Sequence, residues 1–202
     1  MAVQSKKRFT RREMLTSTIK NLITGNILLV ICCAFYLAWW LIAFKPAGAV
    51  KGMSSGWLLL PAAVAGIGAI FVLILSFRHA AINRSLISGT LLLVLGVIAY
   101  FALLAITGFF LHRMVTTELL LIVGWCILAL SEVNVLYGLE LFSFSGAVLW
   151  FVMIIISAAV SMICYILYYG FDEVKGYIDG MVPLLIIGVV MCILTVAIVV
   201  RK

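Results

Sequence analysis

A single acid interrupts one of the long apolar runs of the chain: Glu132 lies between Leu130 and Val135. A carboxylate in hydrocarbon is costly, about 2.5–3.5 kcal/mol for Asp at the centre of a membrane helix and less towards the interface. Glu132 is therefore expected to face protein rather than lipid, either paired or protonated. The chemistry open to it is that of a proton or cation site, or of a ligand for a cationic substrate. The structural alternative is an ion pair with Arg78 or Arg84, or a hydrogen bond to His79, all in the connection after the second apolar run. A carboxylate within two turns of a helix end can also snorkel into water. Ser131 and Asn134 fall on other helical faces than Glu132 and are expected to bond neighbouring helices, each bond being worth about 0.6 kcal/mol. Glu140 belongs to the turn that follows.

A second pattern is Ser157, Ser161, Tyr165 and Tyr168, which recur at helical spacing with Trp150 further along the same side. Hydroxyls and aromatic rings in one stripe can line a cavity for a small ligand, stacking it and fixing its orientation. They can equally form a helix–helix seam, with Tyr168 and Tyr169 anchoring at the membrane interface. The five cysteines, Cys32, Cys33, Cys126, Cys164 and Cys192, all sit in apolar runs and contain no C-x-x-C. They read as small buried residues, not as a disulfide framework or metal site. The sequence holds no phosphate-binding glycine loop, H-E-x-x-H, G-x-S-x-G or calcium loop, so no cofactor is implied and the balance tips away from an enzyme. A catalytic cluster would have to be assembled in space, with His112, Arg113 and Glu118 as candidates.

The elements that position these residues follow from composition. Of the 202 residues 66% are hydrophobic and 10% charged, against about half and a quarter in soluble domains. Seven acids and fourteen bases cannot cover a water-exposed surface, so lipid must replace water around most of the chain. In lipid the backbone must satisfy its own hydrogen bonds, and continuous apolar runs without alternation select helices over a barrel. The chain is thus expected to be an all-α transmembrane bundle in one domain. Its six spans fall at about 26–44, 57–77, 86–110, 118–138, 144–169 and 180–200, each near the ~20 residues a bilayer requires. Small residues at Ala62, Ala65, Gly66 and Ala69 suit span two to close packing at the bundle centre. Tyr36, Trp39, Trp40 and Phe44 suit an aromatic belt at the outer end of span one.

Charge sets the expected orientation. With both termini inside, Lys6, Lys7, Arg8, Arg11, Arg12, Lys20, Arg78, Arg84, Arg201 and Lys202 are cytoplasmic, against Lys45, Lys51, Arg113 and Lys175 outside. The basic N-terminus reads as a topogenic signal attracted to anionic lipid, not as a nucleic-acid surface. Thr10 and Glu13 fit a capping box that starts a helix at Arg11, and Leu15, Ile19, Leu22 and Ile23 make that helix amphipathic, suited to lie in the interface before span one. Ser55-Gly56 and Ser145-Gly146, with Ile87-Ser88-Gly89 and Ile178-Asp179-Gly180, open corresponding spans of the two halves. That is the pattern of a 3+3 inverted repeat, common in transporters; chance recurrence of small residues at helix starts is the alternative.

Three functions fit. The first is transport or binding of a small solute in the bundle, at Glu132 and the span-five stripe. The second is a non-catalytic membrane subunit that docks a partner protein, a second copy or anionic lipid through its basic N-terminus. The third is a lipid-modifying enzyme. A bacterial cytoplasmic membrane suits the short connections.

Overall fold

The structure, a computed structural model, describes residues 2–43, 55–79, 84–111, 117–168 and 173–201, with side chains for 15–43, 56–78, 84–109, 119–167 and 180–201. It is all-helical: α1 (Ala2–Ala43), a 3-10 turn (Ser55–Leu58) leading into α2 (Leu59–His79), α3 (Gly89–Leu111), α4 (Thr117–Gly138), α5 (Phe144–Tyr168) and α6 (Glu173–Arg201). All six helices are long and apolar enough to cross a membrane. The outward faces carry exposed Ile67, Phe71, Ile98, Phe101, Leu149 and Val196, side chains that water would not solvate and lipid does. The protein is an integral membrane protein.

α1 runs antiparallel to α2 and α6: Gly66 and Gly68 of α2 face Cys32 and Leu28, and Gly180 and Gly188 of α6 face Trp40 and Cys33. α1 packs between α2 and α6, α6 packs on α5, α5 on α4 and α4 on α3, with α4 also meeting α2 and α6. This arrangement makes α4 the centre: 56% of its span is buried, against 6–33% in the other five. The main core joins Trp125, Ala129, Val133 and Leu136 of α4 to Ile19 and Leu22 of α1, Leu73 of α2, Ile154 of α5 and Met191, Leu194 and Ile198 of α6. A smaller cluster at the far end of α4 joins Leu119 and Ile122 to Met162 and Tyr165 of α5, with Tyr100, Leu103 and Leu104 of α3 packed against it.

Two expectations change here. The small residues of α2 do bring a helix close, and that helix is α1. Ala62, Ala65 and Ala69 are buried, and a Cβ at Gly66 would lie 3.1 Å from Cys32 Sγ. Small residues permit close approach; they do not place a helix at the centre, and α4 holds that position. The N-terminal segment is likewise not a separate helix starting at Arg11, since α1 is continuous from Ala2 through Ala43. Ile19 and Leu22 are buried in the bundle core, so the apolar face read as interfacial is a packing face. Continuity saves the cost of a second helix nucleus and of unsatisfied backbone groups at a break. The apolar section accordingly begins near Leu15, and α6 begins at Glu173, seven residues before the expected start of span six.

The turn between α4 and α5 has a defined geometry. Leu141 N–H donates to Leu136 C=O and Glu140 N–H to Tyr137 C=O, at 3.0 Å each. This is a Schellman closure, and Glu140 occupies its left-handed position with φ 62°. Glycine is the residue that adopts that conformation without a Cβ penalty. Glu140→Gly is therefore expected to stabilise the protein by about 1 kcal/mol, read as a rise in the unfolding midpoint in detergent. Arg201 closes the same turn from α6: its Nη1 donates to Leu141 C=O at 3.4 Å, and the guanidinium lies 4.9 Å from the centre of the Phe142 ring.

Candidate functional site

Glu132 projects from the centre-facing side of α4 and is fully buried (0% exposed). Its partner is Asn26 of α1, also 0% exposed, whose Nδ2 donates to Glu132 Oε1 at 2.7 Å. The local sequence explains the meeting. Asn26 continues the buried line of Ile19 and Leu22 along α1, at the i, i+3, i+7 spacing of one helical face. Beside it, Gly25 faces Leu73 of α2 with no side chain of its own; a Cβ there would sit 2.7 Å from Leu73 Cγ. Gly25 thus lets α1 lie close to α2, while Asn26 reaches α4.

One hydrogen bond does not satisfy this pair. Glu132 Oε2 and Asn26 Oδ1 are both buried without a hydrogen-bond partner. Each belongs to a group already engaged in the 2.7 Å contact, so the contact leaves one buried acceptor oxygen of each group unpaired. Buried polar atoms are nearly always paired, and each one left unpaired costs about 1–3 kcal/mol. The expected cations do not meet the need. Arg78 and Arg84 are exposed, and neither forms an ion pair with Glu132 among the described residues; the side chain of His79 lies outside them. Of the six charged side chains described, Lys20, Arg78, Arg84, Glu140 and Arg201 are exposed and Glu132 alone is buried.

A third orphan lies on the same helix. Trp125 is buried and its Nε1–H has no partner. Seven residues before Glu132, it falls on the same face of α4, about 10 Å along the axis, with the small side chain of Ala129 between them. This face therefore carries an unpaired donor at Trp125 and an unpaired acceptor at Glu132, with a second unpaired acceptor on Asn26 of α1.

The span-five stripe lies elsewhere. Tyr165 packs against Leu119 and Ile122, roughly 15–20 Å along α4 from Glu132, in a seam with α3. Ser161 is fully buried and its Oγ lacks a partner, Ser157 is half-buried, and the side chain of Tyr168 lies outside the described ones. Trp150 stacks on Phe142, with centroids 6.2 Å apart and planes at 1°. The structure thus does not bring the stripe and Glu132 together. Trp40, read as part of an aromatic belt, lies against Gly180 of α6, where any Cβ would collide with its ring. His112 and Arg113 and the side chain of Glu118 lie outside the described residues.

Asn134 has a structural task. Its Oδ1 accepts from Leu86 N–H at 2.7 Å and its Nδ2 donates to Ile87 C=O at 2.6 Å. It ties the connection before α3 to α4, bonding backbone rather than a neighbouring helix. Asn134→Leu leaves these backbone groups unpaired and is expected to cost about 2 kcal/mol, measured by thermal unfolding in detergent.

Sequence reasoning found Glu132 and missed Asn26 and Trp125. Asn26 falls at the expected start of span one, where it continues the spacing of Ile19 and Leu22. Trp125 carried a signal in its seven-residue offset from Glu132. Comparison of the chain with protein-family models, with curated proteins and with solved structures finds no match.

Proposed function

We propose that this membrane protein binds or transports a small solute within its helix bundle, at the face of α4 that carries Glu132. The observation that supports this is the pair of unpartnered, buried oxygens, Glu132 Oε2 and Asn26 Oδ1. In a membrane interior such groups are kept for function more often than for stability. The solute that fits presents N–H or O–H donors to these oxygens, an amine or ammonium group being the strongest choice against a carboxylate. An acceptor on the same solute can take the Trp125 Nε1–H, whose ring adds an apolar wall.

The orientation proposed places both termini in the cytoplasm. Lys20, Arg78, Arg84 and Arg201 all lie towards the end of the bundle where α1 enters and α6 leaves, and they are exposed. That end suits the positively charged cytoplasmic side.

A ligand screen by thermal shift on the detergent-purified protein, with native mass spectrometry of co-purified molecules, tests the proposal. An amine-bearing solute at a hundred times its Kd is expected to stabilise the protein by about 2.7 kcal/mol. A protein that no small molecule stabilises, but that co-purifies with another subunit, contradicts it. The second reading, a docking subunit, draws on the helical continuation of α1 back to Ala2. This extends some 20 Å beyond the apolar section and carries Lys6, Lys7, Arg8, Arg11 and Arg12. Loss of a co-purified partner on deletion of residues 2–12, with the fold intact, favours it.

A further inference from the structure

The orphaned atoms of the Glu132–Asn26 contact are complementary to one particular occupant. Asn26 Nδ2 already donates to Oε1, and the atoms left over are the second carboxyl oxygen and the amide oxygen. Both are acceptors, so neither can satisfy the other while Glu132 is ionised. A single proton resolves both at once. We propose that Glu132 and Asn26 form a proton-binding site, in which a proton carried on Oε2 of Glu132 is donated to Oδ1 of Asn26.

Loading forms one O–H bond, with the proton taken from bulk water, and removes the negative charge of the carboxylate; release is the reverse. The loaded pair is a closed ring of two hydrogen bonds that latches α1 to α4. A metal ion is a poorer occupant. The contact supplies three side-chain oxygens, one already engaged, whereas sodium-like and calcium-like ions take about six or more. Charged side chains do not compete for the proton either. On the elements packed around Glu132, the described acids and bases are Lys20 on α1, Arg78 on α2, Arg84 before α3 and Arg201 on α6, all exposed; the described side chains of α5 include none. The thiols of Cys33 and Cys126 and the phenol of Tyr137 pack against the same core, and none of them bonds Glu132.

The inference rests on the reading of this pair as the solute site and adds the coupling to it. A solute donor and the proton need the same two oxygens, so each excludes the other. Binding of one at the expense of the other is the elementary step of exchange.

Infrared spectroscopy of the protein reconstituted in lipid, recorded across a pH series, tests it. The expected result is a protonated carboxyl band that moves on transfer to heavy water, is absent from Glu132→Gln and shifts in frequency in Asn26→Leu. Asn26→Leu keeps the carboxyl in place, so the test survives if Glu132→Gln fails to fold. A spectrum in which Glu132 is ionised throughout, or a Glu132 band that Asn26→Leu leaves unmoved, overturns the proposal. The solute reading fails separately: a proton band without any stabilising solute leaves the proton site standing alone, and a bound solute with Glu132 always ionised leaves the solute site alone.

Discussion

Glu132→Gln is expected to fold with a stability within about 1 kcal/mol of the parent protein and to lose solute binding altogether. The stability follows from the geometry of the contact. Gln keeps an oxygen to accept from Asn26 Nδ2, now at 2.7 Å from Oε1, and replaces the orphaned oxygen with an amide that can donate to Asn26 Oδ1. In the proposed pairing this closes permanently the ring that the native pair closes only with a proton, so little of the usual 1–3 kcal/mol penalty for an unpaired buried group is expected. Function is lost for the same reason: the amide carries no charge, takes up no proton and yields its partner to no donor. Glu132→Lys separates these effects in the other direction. It buries a cation with no acid within reach among the described side chains, at a cost of about 3 kcal/mol. Thermal unfolding of the two variants side by side checks both expectations. A Gln variant as unstable as the Lys variant would mean that the carboxylate is a structural element.

Gly25→Leu is expected to lower stability by about 3 kcal/mol. Even the first added carbon would lie 2.7 Å from both Leu73 Cγ and Cδ2 and 3.5 Å from Ala69 C=O. Leu73 is fully buried and has little room to turn aside. The substitution therefore drives α1 from α2 and carries Asn26, the next residue, out of register with Glu132. Gly124 supplies the control. Nothing lies within 4 Å of a Cβ built there, and alanine in a helix interior is favoured over glycine by about 0.5–1 kcal/mol. Gly124→Ala is thus expected to be neutral or mildly stabilising. Chemical unfolding in mixed micelles reads both, and equal effects at the two glycines would contradict the close approach of α1 and α2.

The helices were legible because lipid imposes a simple requirement of length and continuous apolarity, which each of the six runs meets on its own. The centrality of α4 was not. Its span is less apolar than those of α3 and α5 beside it, yet in a membrane an apolar side chain suits a lipid contact as well as a protein contact. Glu132 was legible because an acid in such a run has few places to go. Its partner was not, since Asn26 lies 106 residues away and one amide near the start of a span looks like a boundary. The cations that were legible, Arg78 and Arg84, are long and flexible enough to stay in water, where their charge is cheapest. The spacing of the α5 stripe is helical, but periodicity records which residues share a face and not which helix that face meets.

The most direct test of the account is the thermal shift produced by the strongest solute from the screen, measured in parallel on the parent protein and on Glu132→Gln. The prediction is a clear rise in the melting temperature of the parent and none in the variant, with both folded to the same extent beforehand. An equal rise in both would place the solute elsewhere in the bundle and remove Glu132 from its binding.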